Sequence, residues 1–157
     1  MIAATTDYAG RTTDLEIFQT ENPVLAFKQL SLTMTAGDLS RRVSGIQKLV
    51  QRYLLTFFTP KGSVPFNINF GSIFMTVANQ GLLQSRTAVV QYFSFANMDI
   101  GQQLQQQDQL ASTPPDEQFG NAYLMDYAVD AGSATLYLKI SLTSMAGSTY
   151  TFVLPVT

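Results

Sequence analysis

Apolar and polar positions alternate from Leu25 to Met34, with Leu25 and Phe27, then Leu30, Leu32 and Met34, on one side of the repeat. Period two marks a half-buried strand, and the change of phase near Gln29 marks a bulge. Residues 1–35 therefore read as extended, with Pro23 opening the clearest strand and Ala36-Gly37 closing it. Asp38 is then placed to cap a helix, its side-chain oxygen accepting the free N–H groups of the first turn. Over Leu39 to Thr56 the repeat lengthens. Val43, Ile46, Val50, Tyr53 and Phe57 recur at 3-4-3-4 spacing, flanked by Leu49 and Leu54, which places them on one helical face. Arg41, Lys48 and Arg52 fall with Gly45 on the opposite face, which is expected to meet either water or a partner.

Between Thr59 and Gly71 the pattern stops. Pro60, Gly62, Pro65 and Gly71 exclude a helix interior there and predict a shaped loop. A second helix is expected over about Asn79 to Ala96, with Leu82, Leu83, Val89, Val90 and Phe93 facing one way and Gln84 and Gln91 the other. Arg86 falls inside that stripe, where its stem would lie on the core and its head reach water. Asp99 with Gln102 resembles a capping box and predicts a separate short helix through Leu110. That segment holds six glutamines between Gln102 and Gln109, yet Ile100, Leu104 and Ala111 keep helical spacing. Pro114-Pro115-Asp116-Glu117 ends it.

The C-terminal third returns to period two. Ala122–Val129, Ala134–Thr143 and Thr149–Val156 are separated by Asp130-Ala131-Gly132-Ser133 and Met145-Ala146-Gly147-Ser148, both good turn sequences. Leu136, Leu138, Ile140 and Leu142 share one face of the middle strand, and Tyr150, Phe152, Leu154 and Val156 one face of the last. A half-buried antiparallel meander needs helices on its apolar side. The expected fold is α+β, two or three helices on a small antiparallel sheet that ends in a three-stranded meander. One domain is expected over residues 1–157, with extended strands in 1–35, a helical region in 36–111 containing the loop 59–71, and the meander in 120–157.

Composition changes this picture in two ways. Charged residues make up only 13% of the 157 positions while apolar residues make up 46%, so glutamine, threonine and serine have taken the place of charge. Such a surface suits a chain buried among neighbours better than a free monomer, which net charge keeps apart. The charge is also segregated. No acid lies between Asp38 and Asp99, where Arg41, Arg42, Lys48, Arg52, Lys61 and Arg86 are found. Beyond Arg86, Lys139 is the one base against Asp99, Asp108, Asp116, Glu117, Asp126 and Asp130. A basic centre and an acidic C-terminal part could dock head-to-tail or onto partners of opposite sign.

Candidate chemistry narrows further. The chain has no His, Cys or Trp, which removes His-dependent nucleophilic sites, Cys/His zinc sites, disulfides and thiol redox chemistry. No phosphate-binding glycine loop or Asp-rich calcium loop occurs. Asp116-Glu117 is the one adjacent carboxylate pair, and neighbours in a Pro-rich loop rarely oppose each other across a bond. No cofactor, metal or enzyme activity is expected. A net charge of −2 does not favour nucleic acid. Met1 to Asp14 has no basic region before an apolar run, so neither a secretory signal nor a membrane span is expected there.

The middle of the chain carries a resemblance. Ala36-Gly37-Asp38-Leu39, then Ile46 to Thr56 with Gln47, then Thr59-Pro60-Lys61-Gly62 through Pro65 to Phe70-Gly71, is similar to the baseplate wedge, or sheath-initiator, proteins of contractile phage tails and related injection systems. Members show a Gly-Asp-Leu entry, a Gln-bearing helix ending in a Leu-Leu-Thr-like step, a Thr-x-x-Gly loop and a closing Phe-Gly. The match covers about 35 residues, counted from Ala36 to Gly71. The family's Glu-Pro-Arg before the sheet is replaced here by Pro114-Pro115-Asp116-Glu117-Gln118, without the arginine. The lysozyme-like label sometimes attached to the family finds no support in these residues.

The resemblance implies a structural protein of the virion, assembled in the host cytoplasm. It would bind other wedge subunits and the tail sheath protein, in several copies around a ring, by offering strands. The strand pattern itself makes Thr149–Val156 or the strand before Asp38 the expected pairing edge. The implied motif and interface residues are Gly37, Asp38, Arg41, Gln47, Lys48, Arg52, Thr59, Gly62, Pro65, Phe70, Gly71 and Arg86. The competing expectations are another tail or neck completion protein, or a small monomeric ligand-binding domain.

Overall fold

Gly45 decides where the first helix begins. Its φ of +64° is a left-handed conformation that breaks a helix at no cost for glycine. The computed structural model describes residues 11–15, 18–19, 31–32 and 42–157. Within them, β1 (Asp14–Leu15) pairs antiparallel with β4 (Arg42–Val43), and β2 (Phe18–Gln19) with β3 (Ser31–Leu32). The helix expected from Leu39 therefore starts late. Arg42 and Val43 are extended, and α1 runs over Ile46–Phe58. The Asp38 cap and the Ala36-Gly37 stop lie outside the described residues, as does most of the alternation from Leu25 to Met34.

The middle of the chain forms α2 (Phe74–Asn79) and α3 (Arg86–Ala111). Two expectations are corrected here. The helix placed at Asn79 to Ala96 begins only at Arg86, where the Ser85 hydroxyl accepts the Ala88 N–H at 3.1 Å. No break follows at Asp99, so the two helices expected are one. The reason is packing: Val89, Phe93, Ala96, Ile100 and Leu104 form a single buried stripe that carries the helix through the glutamine run. Asp99 spends its carboxylate on Lys61, at 2.7 Å, instead of on a cap. Arg86 is exposed at the first position of α3, and Leu82 and Val90 are exposed too.

The meander is the part closest to expectation. β5 (Phe119–Asp130), β6 (Thr135–Ser144) and β7 (Thr149–Val156) form an antiparallel sheet in the order β5-β6-β7. Ala122, Leu124, Tyr127 and Val129 stand opposite Leu142, Ile140, Leu138 and Leu136, and these in turn oppose Tyr150, Phe152, Leu154 and Val156. With α1, α2 and α3 this makes an α+β fold. Among the described residues no helix is long and apolar enough to cross a membrane.

The core is one cluster in which α1 is central. Tyr53 and Phe57 are fully buried, their rings 6.2 Å apart, with Phe119 6.1 Å from Tyr53 and Phe74 5.1 Å from Phe57. Each such ring contributes roughly 1.5–3 kcal/mol by leaving water. The Tyr53 hydroxyl donates to Asn97 Oδ1 at 3.1 Å, and Asn97 passes the link on to the Ala122 carbonyl at 2.9 Å. Burial raises the Tyr53 phenol far above its ordinary range, so it stays a donor.

The turn from β5 to β6 supplies a first testable result. Asp130 accepts the Ser133 hydroxyl at 2.7 Å and the Gly132 N–H at 2.9 Å. Those bonds, Ser133 first, hold its carboxyl below the ordinary aspartate range. A lowered pKa in the folded state means a contribution present above the unfolded value and lost as pH falls through the folded one. An NMR titration should place the Asp130 midpoint below that of a free aspartate, and Ser133→Ala should move it upward.

Candidate functional site

The basic back of α1 is largely covered, Lys48 being 11% and Arg52 17% exposed. It is covered by residues 11–15 on one side and by the acidic loop after α3 on the other. Lys48 Nζ lies 3.2 Å from Glu117 Oε2 and donates to the Thr12 carbonyl at 3.3 Å. Arg52 Nη1 donates to Asp108 Oδ1 at 2.7 Å and to the Glu117 carbonyl at 3.1 Å, and Nη2 to Gln107 Oε1 at 3.2 Å. The second Asp108 oxygen accepts the Phe119 N–H at 3.0 Å, which ties the start of the sheet to the end of α3. Arg11 pairs with Asp116, and Gln51 donates to the Leu15 carbonyl at 2.9 Å.

Glu117 is the centre of this cluster. Its side chain is 1% exposed, and Oε1 accepts the Gly45 N–H at 3.1 Å. The adjacent carboxylates are each committed to a different base, Asp116 to Arg11 and Glu117 to Lys48. The loop holding them is a turn, in which the Pro114 carbonyl accepts from the Glu117 and Gln118 N–H groups. In this chain the loop supplies the acids, and α1 and the N-terminal segment supply the bases. A cleft of about 340 Å³ opens beside them, lined by Thr12, Lys48, Arg52, Gln107 and Glu117 among others.

The second feature is the loop between α1 and α2. Its ends are bound together: Lys61 N–H donates to the Ser72 carbonyl at 3.1 Å, and Ser72 N–H to the Thr59 carbonyl at 2.8 Å. Gln103 on α3 clamps Gly71 from both sides, its Oε1 accepting the Gly71 N–H at 3.0 Å and its Nε2 donating to the Gly71 carbonyl at 2.9 Å. Asn67 N–H donates to the Val64 carbonyl and Phe70 N–H to the Asn67 carbonyl, so the tip is built of successive turns. Phe66 stands 101% exposed at that tip, and Ile68 is 68% exposed.

The third feature is the sheet margin. Among the described residues β5 and β7 each pair with β6 alone. The β6–β7 register runs unbroken from Leu136↔Val156 to Thr143↔Thr149, whereas β5 is interrupted between Phe119 and Asn121 and between Leu124 and Asp126.

The residues singled out from sequence thus separate. Lys48 and Arg52 belong to the charged cluster, and Thr59, Gly62, Pro65, Phe70 and Gly71 to the shaped loop. Gln47 and Arg86 are exposed and belong to neither. Gly37, Asp38 and Arg41 lie outside the described residues. Sequence reasoning missed Glu117, Asp108 and Gln103 as structural partners. The charge segregation signalled the first two, since bases confined to one segment and acids to another are free to meet within one chain. Gln103 carried no signal, being one of six near-identical neighbours. No family model, curated protein or solved structure matches the chain.

Proposed function

We propose that the chain is a structural subunit of a contractile-tail baseplate, a wedge component that joins neighbouring subunits and starts the sheath by strand pairing. The observation that carries this reading is that, among the described residues, β7 pairs with β6 and with no second strand. A strand whose outer N–H and C=O groups lack a ladder partner is a template for another chain, and backbone hydrogen bonds then give the affinity. β7 suits this better than β5, because bulges twist an edge away from a partner. Pro155 has no N–H to give, so pairing would run over Thr149 to Leu154. The closed loop 59–71 supports the resemblance in the segment that carries it. In this reading the subunit serves in several copies within the virion tail, alongside wedge and sheath proteins, and performs no catalysis.

The test is reconstitution with the sheath and wedge proteins of a contractile tail. The chain should co-elute with one of them in size-exclusion chromatography, and amide exchange over Thr149 to Leu154 should slow by about tenfold or more in the complex. No co-elution, or equal exchange in free and mixed samples along both sheet margins, would remove the proposal.

A further inference from the structure

We infer that the three-stranded sheet is built to be extended along β7 alone, and that Asp108, Asn97, Asn121 and Asp126 are the residues that close its β5 margin. The inference deepens the strand pairing proposed above and rests on it. It starts from the backbone groups that each outer strand turns away from β6. In an antiparallel ladder, opposed residues alternate between pairs that exchange both bonds and pairs whose N–H and C=O groups point apart. At one end of β6 the Ser144 N–H donates to the Ser148 carbonyl at 2.8 Å, while the Met145 N–H turns the other way and donates to the Gln118 carbonyl at 3.0 Å. Even-numbered residues of β6 therefore bond β7, and odd-numbered ones bond β5. Through the register, the outward groups belong to Thr149, Thr151, Val153 and Pro155 on β7, and to Phe119, Ala122, Leu124, Tyr127 and Val129 on β5.

The two margins are finished differently. On β5 side chains take three of these outward N–H groups: Phe119 donates to Asp108 Oδ2 at 3.0 Å, Ala122 to Asn121 Oδ1 at 2.8 Å, and Tyr127 to Asp126 Oδ1 at 2.8 Å. The outward carbonyl of Ala122 accepts from Asn97 Nδ2 at 2.9 Å. Leu124 stands at a register shift, where the strand bends. A strand arriving at β5 must break these bonds before it can make its own. Side chains that occupy or charge a sheet edge keep other chains off it. On β7, among the described residues, nothing bonds the N–H of Thr149, Thr151 or Val153. Pro155 falls on an outward position, so its missing N–H takes no bond from the ladder with β6.

The open margin also defines what fits it. Tyr150, Phe152 and Leu154 lie on the helix side of β7, with Phe152 6.3 Å from the Tyr53 ring. Phe152 and Leu154 are buried, but Tyr150 is only half-buried. Residues of an added strand that stand beside these three extend the same face and complete its cover, which calls for apolar side chains there. Residues beside Thr149, Thr151 and Val153 join the outer face, where Ser141 and Lys139 stand opposite Thr151 and Val153. The partner is therefore an extended segment of another chain, about six residues long, apolar at alternate positions and bonded through its backbone.

Amide exchange and sedimentation velocity of the full chain test this without any sheath or wedge protein. In the free wild type the Thr151 and Val153 N–H groups should exchange about tenfold or more faster than that of Phe119 on the other margin, and than those of Phe152 and Leu154 in the ladder. Asn121→Ala combined with Asp126→Ala removes two exposed side chains and frees the Ala122 and Tyr127 N–H groups. Copies can then join β5 to β7, a heterologous contact that grows into rows. The wild type, with one open margin, should form nothing larger than a dimer up to a few hundred micromolar, and the double variant should grow past it. Adding Thr151→Pro, at an outward position like that of Pro155, should restore the wild-type limit. Thr151 and Val153 protected as well as Phe152 and Leu154, a double variant no larger than the wild type, or growth that Thr151→Pro leaves unchanged overturns the inference. If these results hold and no sheath or wedge protein binds, the baseplate reading falls alone. If a partner binds and the variants fail, this inference falls alone.

Discussion

Glu117→Ala is expected to lower the unfolding free energy by about 3–5 kcal/mol, the range seen when one member of a buried ion pair is removed. Two losses add. Gly45 N–H, bonded to Oε1 at 3.1 Å, is left without its acceptor, and Lys48, 3.2 Å from Oε2, is left in a covered site with only the half-exposed Asp14 carboxylate, 3.9 Å away, as counter-charge. Glu117→Gln keeps an oxygen for the Gly45 N–H and loses only the charge, so about 2–3 kcal/mol is expected. The pair Lys48→Met with Glu117→Gln should recover part of that, because no buried charge then lacks a partner. Urea unfolding of the four proteins, with the denaturant slope held as a check on two-state behaviour, gives the comparison. A loss under about 1 kcal/mol for Glu117→Ala would mean that water reaches this cluster and that the ion pair is an ordinary surface one.

The cluster also explains what could be read from sequence and what could not. Period two in Leu136 to Leu142 and in Tyr150 to Val156 marked the meander, because a strand's buried face depends on the strand alone. The helical spacing of Val50, Tyr53 and Phe57 marked α1 for the same reason. Its start was misplaced because Gly45 and the pairing of Arg42-Val43 with Asp14-Leu15 compete with a repeat that runs smoothly through them. The two expected helices merged into α3 because Asp99, a good cap in isolation, finds a distant base 38 positions away. The basic face of α1 was legible as a face, but not its cover. Lys48 and Glu117 are brought together by tertiary packing, and no local pattern encodes that meeting. The low charge content takes on a different meaning as a result: Lys48, Arg52, Asp108, Asp116 and Glu117 are largely covered within the molecule, which leaves its outer surface still poorer in charge.

Gly71→Ala should be the most damaging change in the loop, costing about 4 kcal/mol against about 1–2 kcal/mol for Gly62→Ala. Both glycines have positive φ, +103° at Gly71 and +84° at Gly62, so alanine is strained at either position. Space separates them. A Cβ on Gly62 would meet nothing within 4 Å, whereas one on Gly71 would overlap the Thr59 carbonyl oxygen and lie 3.0 Å from the Pro60 carbonyl carbon. Thr59 cannot yield, because its carbonyl accepts the Ser72 N–H that closes the loop and its own N–H continues α1 to the Leu55 carbonyl. Relief must come from moving Gly71, which breaks both of its bonds to Gln103. Gly71→Ala should therefore release the tip as well as destabilise the fold: thermal unfolding should shift downward, and amide exchange at Asn67 and Phe70 should accelerate to near the unfolded rate at temperatures where the core is intact. Gly62→Ala should lower the melting point modestly and leave that exchange slow. Equal effects from the two substitutions would show that backbone strain alone governs the loop, and that the close approach of Gly71 to Thr59 contributes nothing to its shape.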